Sequence, residues 1–133
     1  MIFVDAGPLL ARYLRSDSYH ERAVSMWREV AGTPLMTSVH VLDETFTLLG
    51  RRAGHSFAAD RAERIYASDS WQILSTTRDD ETTAIRFFRK FADQRVSFTD
   101  CTSFALMKRH SIPMAFTFDR HFAHAGFKVL GVS

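Results

Sequence analysis

The chain of 133 residues has a single cysteine, Cys101, and only three prolines. One cysteine excludes an internal disulfide framework and fits a reducing compartment. So few breakers, in a chain that is 46% hydrophobic, exclude a disordered polypeptide. No apolar run approaches the length of a membrane span. A basic leader is missing, and Asp5 interrupts the stretch that could pass for the apolar segment of a signal peptide. A cytoplasmic protein with no membrane partner is therefore expected. A large excess of either charge is missing as well. Seventeen basic and fifteen acidic residues leave +2 and a pI near 9.0, which permits an anionic partner without demanding one.

Several catalytic patterns are absent too. The six histidines form no metal-binding spacing, and His121-x-x-His124 lacks the glutamate of the zinc-hydrolase helix, so a structural role is expected for His121. Ser75, Ser97 and Ser103 stand in no nucleophile elbow, which removes a serine hydrolase. A haloacid-dehalogenase-type phosphatase would need an aspartate two residues after Asp5, where Gly7 stands. A receiver domain would need one after Leu74, where Ser75-Thr76-Thr77 follows. No aromatic RNA-recognition motif is present, so sequence preference on a nucleic acid is unreadable.

What is present is organised around the first ten residues. Ile2-Phe3-Val4 is a short apolar run of β-formers, predicted as a strand buried on both faces. It stops at Asp5, and Pro8 offers the fixed φ suited to the first position of a helix. Further strands are predicted at Leu35–Thr37, Trp71–Leu74, within Ile112–Phe118 ending on Asp119, and at Lys128–Leu130. Helices fall between them: Leu9–Leu14, Tyr19–Ala31, Val39–Arg52, Phe57–Ala67 with Tyr66 inward, a segment through Phe91, and one carrying Cys101 to Met107. Cys101 lies on the stripe of Phe104 and Ala105 and is expected to be buried and inert. Strands alternating with helices imply one α/β domain over residues 1–133, with a mostly parallel sheet and helices on both faces.

Most of the fifteen acids need no special account. Glu29, Asp60, Glu63 and Asp93 fall on polar helix faces, Asp43 on the surface, and Asp79, Asp80 and Glu81 suit a helix start. Four others break the local pattern. Glu44 lies three residues after Val41 and four before Leu48, on the stripe expected to face inward. Asp100 precedes Phe104 and Met107 at the top of an apolar stripe, and either Thr99 or Ser97 could cap that helix in its place. Asp5 and Asp119 end apolar strands, which in a parallel sheet finish along one edge, where open α/β sheets place their sites. Asp5 could instead serve as a helix cap. Thr117, two residues before Asp119, is placed to hold that carboxylate by its hydroxyl. Four carboxylates meeting in one cleft would raise each other's pKa unless divalent cations sat among them. Oxygen ligands favour Mg²⁺ or Mn²⁺ over zinc, and such sites suit phosphoryl chemistry.

At these residues the sequence resembles a PIN-domain ribonuclease, in particular the toxin subunit of VapBC-type toxin–antitoxin pairs. The resemblance spans nearly the whole chain. It rests on Val4-Asp5, Glu44, Ser97-Phe-Thr-Asp100-Cys-Thr-Ser-Phe-Ala-Leu-Met107, and Thr117-Phe-Asp119-Arg-His-Phe122. Ala6 departs from it, since relatives often carry a hydroxyl or amide after the first aspartate. The resemblance implies a PIN-like three-layer α/β/α sandwich with a four- to five-stranded sheet. It implies that Asp5, Glu44, Asp100 and Asp119 hold Mg²⁺ or Mn²⁺ for hydrolysis of RNA, leaving a 5′-phosphate and a 3′-hydroxyl. It also implies a small antitoxin that places a basic side chain in the cleft, and often a homodimer.

RNA must be drawn to that acidic cleft by basic groups. Arg12, Arg15, Arg51, Arg52, Arg86, Arg89, Lys90 and Arg120 are available, with Arg120, directly after Asp119, the first choice and Arg12 a second. Two other readings of the same domain stay open: an RNA-processing nuclease outside a toxin–antitoxin pair, and an inert PIN-like scaffold that binds RNA or protein.

Overall fold

The computed structural model describes residues 1–132. Five strands, β1 (Ile2–Val4), β2 (Leu35–Ser38), β3 (Trp71–Leu74), β4 (Met114–Phe116) and β5 (Lys128–Leu130), pair in the order β3-β2-β1-β4-β5. All four pairings are parallel. Between them run α1 (Ala6–Tyr13), α2 (His20–Glu29), α3 (Val39–Ala53), α4 (His55–Ala67), α5 (Arg78–Lys90), α6 (Phe98–Arg109) and α7 (His121–His124). From β1 the chain moves outward through β2 to β3, then returns across the sheet to β4 and β5. Right-handed crossovers therefore put α1 to α4 on one face and α5 to α7 on the other. The direction reverses between β1 and β4. That reversal opens a crevice beyond their carboxyl ends, the usual place for a ligand in such sheets.

The three inner strands, β2, β1 and β4, are three or four residues long and covered on both faces, so burial and not alternation identifies them, whereas the edge strands β3 and β5 leave Gln72 and Lys128 exposed. Phe3, Phe104, Phe116 and Phe122 are among the largest fully buried side chains. Phe104 is the hub of one aromatic cluster, with Phe122 edge-on at 4.9 Å and Phe87 at 5.5 Å. It belongs to α6, which is buried on every side from Cys101 through Met107. A helix without a polar face must satisfy its hydroxyls internally. Thr102 and Ser103 do so by donating to the Thr99 carbonyl at 2.6 and 3.2 Å.

Several boundaries differ from the sequence reading. β4 ends at Phe116, so Asp119 lies three residues beyond the strand, in the turn before α7. Pro8 occupies the third helical position of α1, where a missing N–H is as harmless as at the first. Tyr66 points out, with 59% of its surface exposed, because α4 buries only the narrow line of Ala58 and Ile65. Ser38 caps α3, accepting from the Val41 N–H at 3.1 Å.

Asp80 is the largest surprise among the helix-start acids. It is buried, and it forms a capping box with Thr77 at the head of α5. The Arg109 guanidinium, at the end of α6, donates to both its oxygens at 2.8 Å. Burial alone would raise this carboxyl, but the Arg109 and Thr77 hydrogen bonds outweigh it and hold the group below the usual carboxylate range. The pair clamps α5 to α6, and α6 carries Asp100. Asp80→Ala is expected to lose about 2–4 kcal/mol in urea denaturation, from a lost cap and charge-assisted hydrogen bonds. A loss below about 0.5 kcal/mol, the size of an ordinary surface change, would contradict the clamp.

Candidate active site

Asp5 follows β1 directly, and its backbone N–H donates to the Phe116 carbonyl of β4 at 3.0 Å. On the other side Thr37 donates its hydroxyl to the Val4 carbonyl at 2.8 Å. The carboxylate thus emerges from a backbone pinned by both neighbouring strands. Asp5 occupies the N-cap position of α1, yet its side chain makes no capping hydrogen bond. Its Oδ2 accepts instead from the buried Thr117 hydroxyl at 2.8 Å. The same Thr117 oxygen accepts the Asp119 backbone N–H at 3.0 Å. One hydroxyl therefore ties the Asp5 carboxylate to the Asp119 main chain, a correction to the expectation that it would hold the Asp119 carboxylate.

Thr117 is itself held by a glycine. Gly131 has φ +118°, and a Cβ there would lie 2.3 Å from the Thr117 carbonyl oxygen. Only a residue without a side chain lets the end of β5 approach so closely. Asp100 sits in the first turn of α6, whose cap is Ser97, accepting from the Asp100 N–H at 3.0 Å. Thr99 is not the cap. It occupies the second helical position, and its carbonyl accepts from the Thr102 and Ser103 hydroxyls.

Oxygens of Asp100 and Asp119 and a ring nitrogen of His121 lie within 4.8 Å of one another. The His121 backbone N–H donates to Asp119 Oδ1 at 2.8 Å, which folds the ring back over the carboxylate. Its Nδ1 also lies 2.8 Å from Asp119 Oδ1, but the ring is not oriented to donate along that line. This buried nitrogen has no hydrogen-bond partner. Sequence reasoning gave His121 a structural role because it sought histidine spacing. The available signal was its place two residues after a site aspartate.

Glu44 is corrected as well. It is exposed, because the buried stripe of α3 is Val41, Leu42, Thr45 and Leu49. At 100° per residue Glu44 lies about 110° from the centre of that stripe, and Leu48 is itself only on its flank. Glu44 nonetheless stands close enough to Asp5 for its charge to act on it. Arg12 and Arg120 do not join the acids in this cluster. Arg12 lies over the Trp27 ring, 4.7 Å from its centre, and lines a cleft with Arg15 and Arg61. Arg120 precedes α7 and is exposed.

The electrostatics follow from crowding. Burial raises Asp5 to about 6, with the Thr117 hydrogen bond opposing and the charges of Asp119 and Glu44 adding to the rise. Asp100 goes to about 8, through burial first and then the charges of Asp5 and Asp119. Asp119 is also placed to accept the Asp100 proton. Cys101, next in line, is pushed to about 11 by burial and by Asp100, so it is an inert core thiol. Carboxylates that keep protons near neutral pH, beside an orphaned imidazole nitrogen, fit a divalent cation held by Asp5, Asp100, Asp119 and His121. The nitrogen means that the donor set is not purely oxygen, as the sequence had suggested.

A family profile described as the PIN domain matches residues 2–128. The chain is 40% identical over 129 residues to the 23S rRNA-specific endonuclease VapC20 of Mycobacterium tuberculosis, covering 96% of this chain and 95% of that one. The crystal structure of VapC20, described as a sarcin–ricin loop cleaving toxin, superposes with a TM-score of 0.87 at 38% identity, over 99% and 98% of the two chains. The FitAcB structure from Neisseria gonorrhoeae shares the fold, with a TM-score of 0.73 at 19% identity over 98% and 96%.

The two raised carboxyls give a signed prediction. Between about pH 4 and pH 8 the folded protein keeps protons on Asp5 and Asp100 that the unfolded chain has released. Stability without metal must therefore fall as pH rises through that window. A drop in Tm on the order of 5–10 °C is expected in EDTA, reversed by millimolar Mn²⁺ and much reduced in Asp100→Asn. Asp80, whose pKa is lowered, acts only at the acidic end and does not oppose this slope. A Tm that rises or stays level from pH 5 to 8 would contradict the crowding.

Proposed function

The chain belongs to the PIN-domain family, and on that premise we propose that it is a divalent-metal-dependent endoribonuclease acting as a cytoplasmic toxin, with ribosomal RNA as its substrate and a small antitoxin as its partner. The single observation that carries the reading is the convergence of Asp5, Asp100, Asp119 and the unpartnered His121 nitrogen at the sheet crevice. The proposed substrate is the sarcin–ricin loop of 23S rRNA. Support comes from VapC20, whose description names that target and which matches this chain almost end to end.

In this proposal Asp5, Asp100, Asp119 and His121 hold the ion, with Glu44 as a further carboxylate on the solvent side. Mg²⁺ or Mn²⁺, when bound, supplies a Lewis acid that activates water and neutralises charge at the phosphate. The protein supplies the rest. Thr117 fixes one oxygen of Asp5 and leaves the other free to ligate. The folded-back ring of His121 offers an acceptor nitrogen that no protein donor uses. Asp100, which holds a proton near neutral pH in the metal-free protein, would have to release it to serve as a ligand, so the centre would become fully anionic only where a cation compensates it. An imidazole among the ligands favours Mn²⁺ relative to a purely carboxylate set.

Purified protein is expected to cut 23S rRNA, and an RNA carrying the sarcin–ricin loop, with Mg²⁺ or Mn²⁺ and not with EDTA. Asp100→Asn should lower the rate about 100-fold or more, and Thr117→Val, which keeps the shape and loses the hydroxyl, by about 10–100-fold. Cleavage that survives EDTA, or an unimpaired Asp100→Asn, would overturn the metal-dependent reading. Metal-dependent cleavage of other RNAs with the sarcin–ricin loop left intact would overturn the target.

A further inference from the structure

The acidic centre repels the phosphates it is proposed to cleave, so other groups must hold the RNA. The strongest arrangement for this lies immediately beside it. Tyr19, at the start of α2, is 45% exposed, although large aromatics usually find cover. Its ring stacks on Phe118 with centroids 4.6 Å apart and planes within 14° of parallel. Phe118 stands between Thr117, which holds Asp5, and Asp119.

The Phe118 ring is confined, and the segment that carries Tyr19 is tethered. A Cβ at Gly7 would lie 3.4 Å from the Phe118 ring and one at Gly131 would lie 3.3 Å from it, so Phe118 is confined between two glycines. Tyr19 is tethered through its backbone N–H to Asp17 Oδ1 at 2.8 Å. The next residue, His20, anchors the same segment, its ring Nδ1 lying 2.7 Å from the Ala11 carbonyl. One face of Tyr19 is thus committed to Phe118, and a large part of the ring is left to solvent in a defined orientation. Arg22 follows one turn along α2, and with Arg120 and the two rings it lines a cleft of about 100 Å³. Among the described residues, no carboxylate forms an ion pair with either guanidinium.

A half-open aromatic held by stacking and flanked by two arginines that pair with no carboxylate of the described residues has the chemistry that binds single-stranded RNA. The ring stacks on an unpaired base, and the guanidiniums take the phosphates on either side. The cleft is small, so the base would lie on the open side of Tyr19 and a phosphate in the cleft. We propose that Tyr19 is a stacking platform for the nucleobase next to the scissile phosphate, with Arg22 and Arg120 holding the adjoining phosphates. The inference rests on the reading of the acidic centre as an RNA nuclease.

The test separates binding from cleavage. With a labelled RNA carrying the sarcin–ricin loop, Tyr19→Ala is expected to raise KM roughly 10-fold with kcat within about twofold, and Tyr19→Phe and Tyr19→Trp should restore KM. In the Asp100→Asn protein with EDTA, fluorescence anisotropy should show the same roughly 10-fold weakening. Arg22→Gln and Arg120→Gln should each reduce the slope of log affinity against log salt by about one. Wild-type values for Tyr19→Ala in both assays would overturn the proposal. So would failure of Tyr19→Phe to rescue, which would assign the effect to the hydroxyl, or a fall in kcat at constant KM, which would assign it to displacement of Phe118. If the wild type cleaves nothing under any metal, the nuclease reading fails separately, and the anisotropy arm alone decides whether Tyr19 binds RNA.

Discussion

Three aspartates are held together at the end of a parallel sheet against their mutual repulsion, and the rest of the structure answers to that constraint. Two like charges no more than 4.8 Å apart, as Asp100 and Asp119 would be, repel by about 3 kcal/mol or more even at an effective dielectric of 20, before any cost of burial. A flexible scaffold would relieve this by letting them part. Here each is anchored from a different element: Asp5 from β1 between two strand ladders, Asp119 from the turn after β4, and Asp100 from the first turn of α6, which is buried from Cys101 through Met107. The Asp80–Arg109 clamp belongs to the same design, since it fixes the far end of α6 against α5. Protons on Asp100 and Asp5 relieve the repulsion, and under the proposed function a divalent cation would take their place.

Thr117 shows how little separates such a centre from a disordered one. Its hydroxyl gives its proton to Asp5 and its lone pair to the Asp119 main chain, so the two acids cannot shift independently. Its backbone is fixed in turn by Leu130 of β5 and by the close approach of Gly131. A glycine near the end of the chain thereby governs the position of a carboxylate near its start, through two contacts that neither local sequence announces.

Much of the fold was legible because it rests on local patterns. Short apolar runs punctuated by helical stripes sufficed for all five strands and for the α/β class, and the positions of Asp5 at the end of β1 and of Asp119 just beyond β4 pointed to the crevice. Glu44 was misread because two apolar neighbours at helical spacing do not fix the centre of a stripe, and Leu48 lies on its edge. The ion pair of Asp80, correctly read as a helix-start acid, and the place of His121 over Asp119 went unseen for a different reason. The value of the first depends on Arg109, 29 residues away, and that of the second on a ring folded back over Asp119. Thr117 was found, but its partner was not, because Asp5 lies 112 residues away in sequence. Periodicity sees faces of elements and does not see pairings between them.

The central claim is that crowding keeps a proton in the centre until a cation replaces it. The most direct test is calorimetric titration of the protein with Mn²⁺ at pH 7 in two buffers of different ionisation enthalpy, which counts protons released on binding. With Asp100 near 8 and Asp5 near 6, about one proton should leave for each ion bound, and almost none in Asp100→Asn. Tight Mn²⁺ binding by the wild type with no proton release would show that the carboxylates are already ionised, and the account of the centre would be wrong.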